Sequence, residues 1–124
     1  MNPDSFLITC KTAFINHIYP FQFDKLDNLI YKKLDEIATW YRDTNRLQEF
    51  YNYLQEVQYL VNVWTAYFLL EKFDFKVTDK LVGLNNNQTI YNACIQTIER
   101  NLPSFKTDTE KINCKTWLNI KKGV

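Results

Sequence analysis

Residues 45–72 read NRLQEFYNYLQEVQYLVNVWTAYFLLEK, and no glycine or proline interrupts them. Within this stretch Leu47, Phe50, Leu54, Val57, Val61, Trp64 and Phe68 recur at alternating spacings of three and four residues, the signature of a heptad seam on an α-helix. A second seam, Tyr53, Leu60, Val63, Tyr67 and Leu70, runs along a neighbouring face with Glu56 as its polar break. The remaining stripe, Gln48, Gln55, Gln58, Asn62 and Thr65, is polar but uncharged, and between Leu47 and Leu70 only Glu49 and Glu56 carry charge. At 1.5 Å per residue the stretch predicts one long helix of roughly 40 Å. A helix apolar on two faces and nearly neutral on the third is buried by more than one neighbour. It is therefore expected as the central rod of a bundle, or as a bundle helix that also contacts another chain.

Outward from this segment the helical periodicity continues. Pro3, Asp4 and Ser5 supply start signals for a helix over 5–19, with Leu7, Cys10, Phe14, His17 and Ile18 on its core side and Pro20 as its stop. Asp24 is expected to cap a second helix on which Leu26, Leu29, Ile30, Leu34, Ile37 and Tyr41 form one stripe. Its acids and bases balance between Asp24 and Arg46, as on a solvated, ion-paired surface. Residues 73–78, FDFKVT, alternate apolar and polar and read as an extended loop or a short strand. Thr78 begins a short turn that ends at Gly83, and Asn85-Asn86-Asn87 reads as a loop. A further helix carries Ile90, Cys94, Thr97, Ile98 and Leu102 inward and ends before Pro103. The last begins at Thr107-Asp108, where Thr107 and Glu110 fit a capping box, and runs through Ile112, Trp117, Leu118 and Ile120. The expected fold is all-α: one domain over 1–124, an antiparallel bundle of about five helices around a long central one at about 45–72.

Composition agrees. With two glycines and three prolines in 124 residues, the chain lacks the turn residues that sheets and hairpins need. Hydrophobic residues at 46% and charged residues at 23% are those of a globular domain with a core of its own. A net charge of +1 creates no global field toward nucleic acid or an anionic membrane. The most apolar run, residues 60–70, is about half the ~20 residues that span a bilayer, so no membrane partner is expected. The first ten residues, MNPDSFLITC, lack a basic segment followed by an apolar run, and the cysteines Cys10, Cys94 and Cys114 are odd in number and widely spaced. Both features predict a cytoplasmic setting without disulfides, and size and composition fit a prokaryotic source.

The residues that carry chemistry do not converge. His17 is the single histidine, which excludes the common zinc and di-iron ligand sets, so no metal or cofactor is expected. Cys10 lies seven residues before His17, yet three cysteines in helical, apolar settings read as inert buried thiols. Two isolated glycines cannot build a phosphate-cradling loop. Carboxylates such as Asp35 and Glu36, adjacent on a helix, point in different directions and suit an exposed face better than acid–base work. No enzyme activity is expected.

Two binding surfaces remain. The aromatic residues Tyr53, Tyr59, Tyr67, Phe73 and Phe75 exceed what the core is expected to need, and aromatics are enriched at interfaces. They predict a protein-interaction module, such as a small subunit, adaptor or immunity-type inhibitor, whose partner is another protein or a second copy in a homodimer. From Ser104 onward five lysines face two acids, and Lys111, Lys115 and Lys122 fall near one helical face. That face supplies the alternative, an accessory subunit that contacts nucleic acid phosphates.

Overall fold

The computed structural model describes residues 5–73 and 89–123. These residues form an all-α bundle of six α-helices joined by short 3₁₀ turns: α1 (Ser5–Ile15), α2 (Leu29–Asp43), α3 (Leu47–Tyr51), α4 (Val61–Lys72), α5 (Ile90–Asn101) and α6 (Asp108–Lys122). Among them no helix is long and apolar enough to cross a membrane. Of the expectations above, the residues 74–78 of the alternating stretch, the turn at Gly83 and the loop at 85–87 lie outside the described residues.

The single long helix over 45–72 is corrected. The chain forms α3, a 3₁₀ turn at Asn52–Gln55, an extended residue at Glu56, and a second 3₁₀ turn at Gln58–Leu60 before α4 begins. Tyr59 and Leu60 both adopt the left-handed conformation, with φ of 54° and 58°. Local bonds compete with the helix here: the Glu56 carboxylate accepts from the Gln58 amide at 3.2 Å, and the Glu56 carbonyl accepts from the Asn62 amide at 2.9 Å. The break folds the segment back, so that α3 and the turn after it pack on α4. Phe50 and Phe73 measure the result. In one continuous helix they would lie about 35 Å apart at 1.5 Å per residue, whereas their rings stack with centroids 5.3 Å apart. Each half of the heptad seam keeps its register, with Phe50, Val61, Trp64 and Phe68 buried, while Val57 at the break is turned out to solvent.

Folding back places α4 at the centre. Every residue from Val61 to Leu69 is buried, and the helix contacts α1, α2, α3 and α5. Trp64 packs edge-on against Tyr31 of α2 at 5.1 Å and stacks on Phe68 at 5.9 Å. The Lys72 ammonium pairs with Asp35 of α2 at 2.9 Å. On the far side Phe21, from the loop after α1, meets Tyr67 and Trp117 at 5.4 and 5.2 Å. That loop is tied to α6, because Asn113 donates to the Phe21 carbonyl at 2.9 Å and Gln22 donates to the buried Glu110 carboxylate at 3.2 Å.

Helix ends differ from expectation in instructive ways. α1 stops at Ile15, before Pro20, through a Schellman closure: His17 takes a φ of 60°, its amide donates to Phe14 O at 3.2 Å, and the Ile18 amide donates to Ala13 O at 2.8 Å. α2 starts at Leu29 and is capped by Asn28, whose side chain accepts from the Ile30 amide at 2.8 Å; Asp24 sits instead in a 3₁₀ turn. Leu26 and Leu29 consequently precede or open the helix and are exposed, whereas Leu34, Ile37 and Tyr41 are buried. α2 ends by the same Schellman pattern at Asn45, with a φ of 58° and the Arg46 amide donating to Tyr41 O. The Thr107 cap of α6 is present, its hydroxyl accepting from the Glu110 amide at 3.1 Å. On α5, Ile90, Cys94, Thr97 and Ile98 are buried as the spacing predicts.

Candidate functional site

The aromatic residues expected to be in surplus are largely absorbed by the fold. Tyr67 is buried between Phe21, Phe68 and Trp117, where loss of solvent pushes its phenol up to about 12, with the Glu71 charge adding to the rise. Tyr53 is half-buried against Phe6 at 5.1 Å, and its hydroxyl shares a 3.0 Å hydrogen bond with that of Tyr41. Phe73 is half-buried on Phe50, and Phe75 lies outside the described residues. Tyr59, half-buried at the break, meets Phe14 edge-on at 5.7 Å and receives the Lys11 ammonium at 5.7 Å from its ring centre. These residues do not share one exposed face. The break lets the two halves of the segment cover each other, which takes up part of the apolar surface of Tyr53, Tyr67 and Phe73.

Among the described residues exposed apolar side chains are scattered, at Leu26, Leu29, Val57, Ile112 and Ile120 as well as on α1, where two of them share one helix face. This helix, SFLITCKTAFI, carries one charged residue, Lys11. Its inner side buries Phe6, Cys10 and Ala13, yet its outer side presents Ile8 and Ile15 at 60% and 61% exposure. Seven residues separate them, two turns, so they stand in line on one face with Thr12 between. Next to Ile8, a hollow of about 180 Å³ opens between Leu7 of α1 and Tyr59 and Val61 of the break, with Lys11 and Glu56 at its rim. Among the described residues neither of these two charges has an oppositely charged group within ion-pair distance. Ile8 and Ile15 were legible as an i, i+7 pair on a nearly uncharged helix, a signal outweighed by the longer pattern at 45–72.

The lysines of α6 divide. Lys111 is half-buried and Lys115 exposed, and neither is ion-paired among the described residues, whereas Lys122 pairs with Glu99 of α5 at 3.3 Å. Lys121 pairs with Glu71 at 2.9 Å and lies over the Trp117 ring, whose indole N–H donates to the same carboxylate. Part of the C-terminal positive charge is thus spent in fastening α6 to α4 and α5.

The groups that could do covalent or metal chemistry are kept apart. Cys10, Cys94 and Cys114 are buried free thiols, and burial pushes all three up, Cys114 to about 12. A thiol so placed is a poor nucleophile at neutral pH. His17 projects from the turn after α1, its Nδ1 3.0 Å from the Tyr19 hydroxyl, and is exposed rather than at the core edge. Among the described residues no three His, Cys, Asp or Glu side chains converge as a metal-binding group. No family model matches this chain, and comparison with curated proteins and with solved structures finds none similar to it.

Proposed function

We propose that this protein is a non-enzymatic interaction module, a small subunit, adaptor or immunity-type inhibitor that works by binding another protein surface through the outer face of α1. One observation carries the reading: Ile8 and Ile15 stand in line, well exposed, on a helix that carries one charge, beside an apolar hollow. Such a face gains free energy when covered, at about 25 cal/mol for each Å² of apolar surface removed from water. The rim favours a second copy of the chain as the occupant. A two-fold interface must complement itself, and a rim that carries a cation, Lys11, and an anion, Glu56, neither ion-paired among the described residues, meets that condition if each copy's lysine faces the other's glutamate. Charge reversal tests this directly. Lys11→Glu alone and Glu56→Lys alone should each weaken self-association in sedimentation measurements, and the double exchange should restore it. Equal association of all four proteins would refute the assignment.

A second reading rests on Lys111 and Lys115 of α6, which make no ion pair among the described residues. Two such lysines make at most a weak contact with nucleic acid phosphates, and one that fades steeply with salt. Binding of single- or double-stranded DNA that disappears in a Lys111→Glu, Lys115→Glu variant would establish it.

A further inference from the structure

The break at 56–60 also contributes to the wall of a second depression, whose lining residues differ from those of α1's hollow. A groove of about 480 Å³ runs between the 3₁₀ turn at Asn52–Gln55 and α5. That volume is within the range of small-ligand sites, roughly 300–1,000 Å³. Tyr51, Leu54 and Val57 supply apolar walls, and Val57 stands 73% exposed at the lip. Two consecutive left-handed residues, Tyr59 and Leu60, hold that lip in place, a strained arrangement of the kind that clusters at ligand clamps.

Among the described residues that line the groove Arg100 is the one charged side chain, beside the neutral Gln55, Asn62, Thr97 and Asn101. Arg100 reaches it with its Nε bonded to Gln96 O at 3.3 Å, and among the described residues its guanidinium meets no carboxylate. The terminal nitrogens of the fork are thereby left to a ligand. Asn62 forms part of the floor. It is 8% exposed and its Oδ1 accepts from the Val63 amide at 2.9 Å, so that Nδ2 is the donor this side chain offers to the groove. A planar guanidinium fork matches a carboxylate in shape and charge, and a single cation balances a monoanion better than a phosphate dianion.

We propose that this groove binds a small carboxylate with an apolar body, the carboxylate accepting from Arg100 and Asn62 and the apolar part lying against Leu54 and Val57. The site is independent of the α1 face. As the probe, sodium 4-methylpentanoate is titrated into the ¹⁵N-labelled protein, with 4-methylpentanamide as its neutral twin, while amide and side-chain resonances are followed by NMR. Saturable shifts of the Asn62 side-chain NH₂ and the Arg100 Nε–H are expected with the acid, and at least tenfold weaker binding with the amide. Arg100→Gln, a substitution on an exposed side chain that leaves the core intact, should lose the shifts, and Arg100→Lys should retain part of them. Three results would overturn the proposal: no saturable shift with the carboxylate, equal binding of acid and amide, or binding undiminished in Arg100→Gln.

Discussion

α1 and α4 are alike in sequence and opposite in circumstance. Each is a helix of eleven or twelve residues with almost no charge, VNVWTAYFLLEK against SFLITCKTAFI. α4 is enclosed, all of Val61–Leu69 being buried by neighbours from both sides of the chain. α1 lies at the surface with half its circumference covered, and Ile8 and Ile15 face solvent. Apolar composition therefore does not decide which helix is central. What decides is whether the chain can bring a neighbour to each face. The fold-back at 56–60 does so for α4, and among the described residues no element covers the outer side of α1.

The largest effect that sharpens this contrast is on stability. Trp64→Ala removes the ring at the centre of the α2–α4 contact and should cost about 3–5 kcal/mol in urea unfolding, whereas Ile8→Ala and Ile15→Ala, compared at a concentration low enough for the chain to be monomeric, should stay within about 0.5 kcal/mol, as exposed substitutions do. Equal losses on the two helices would erase the distinction between them.

The enclosure of α4 is completed by the loop after α1 and its tie to Glu110. Burial raises the Glu110 carboxyl above the usual range, against the opposing hydrogen bonds from the Lys106 backbone and the Gln22 and Thr107 side chains. The folded state then holds this proton more tightly than the unfolded chain does. Its contribution favours folding at low pH and is lost as the pH rises from the ordinary carboxylate value through the raised one. Glu110→Gln keeps an acceptor for Gln22 and removes the charge. The variant should gain stability at neutral pH and show a flatter dependence between pH 4 and 7.5 in unfolding midpoints. A steeper dependence would reverse the sign assigned here.

The smallest effect tests the break itself. Glu56 is extended, as the residue before a proline prefers, Val57 has a φ of −88°, and its amide makes no backbone bond in the turn. Val57→Pro should consequently change stability by less than about 1 kcal/mol. In a continuous helix the same substitution costs about 3 kcal/mol or more, so a loss of that size would restore the unbroken rod.

Much of the fold was legible in the sequence because helical periodicity reports which side of each helix is buried. The inward residues of α5, the Thr107 cap and the buried half of α2 were all readable from spacing. The break was not, because the heptad pattern persists across it: Leu54 and Val61 keep the spacing even though the backbone between them reverses. Leu60 and Tyr59 in the left-handed region give no warning either, since that region ordinarily favours glycine or asparagine. The aromatic residues Tyr53, Tyr59 and Tyr67 stand out in a single rod with two open apolar faces, whereas in the folded-back segment they pack on one another's neighbours, and Ile8 and Ile15 are among the apolar residues left exposed.

The most direct test of the α1 assignment is the solution mass by light scattering at about 10 and 100 μM, in ~0.1 M and ~1 M salt, where charge screening lengths fall from ~10 to ~3 Å. A face covered chiefly by apolar contact predicts a dimer that grows with concentration, largely survives high salt, and reverts to monomer in Ile8→Asp with helix content unchanged. A wild-type monomer at 100 μM, or a dimer that ignores Ile8→Asp, would contradict it.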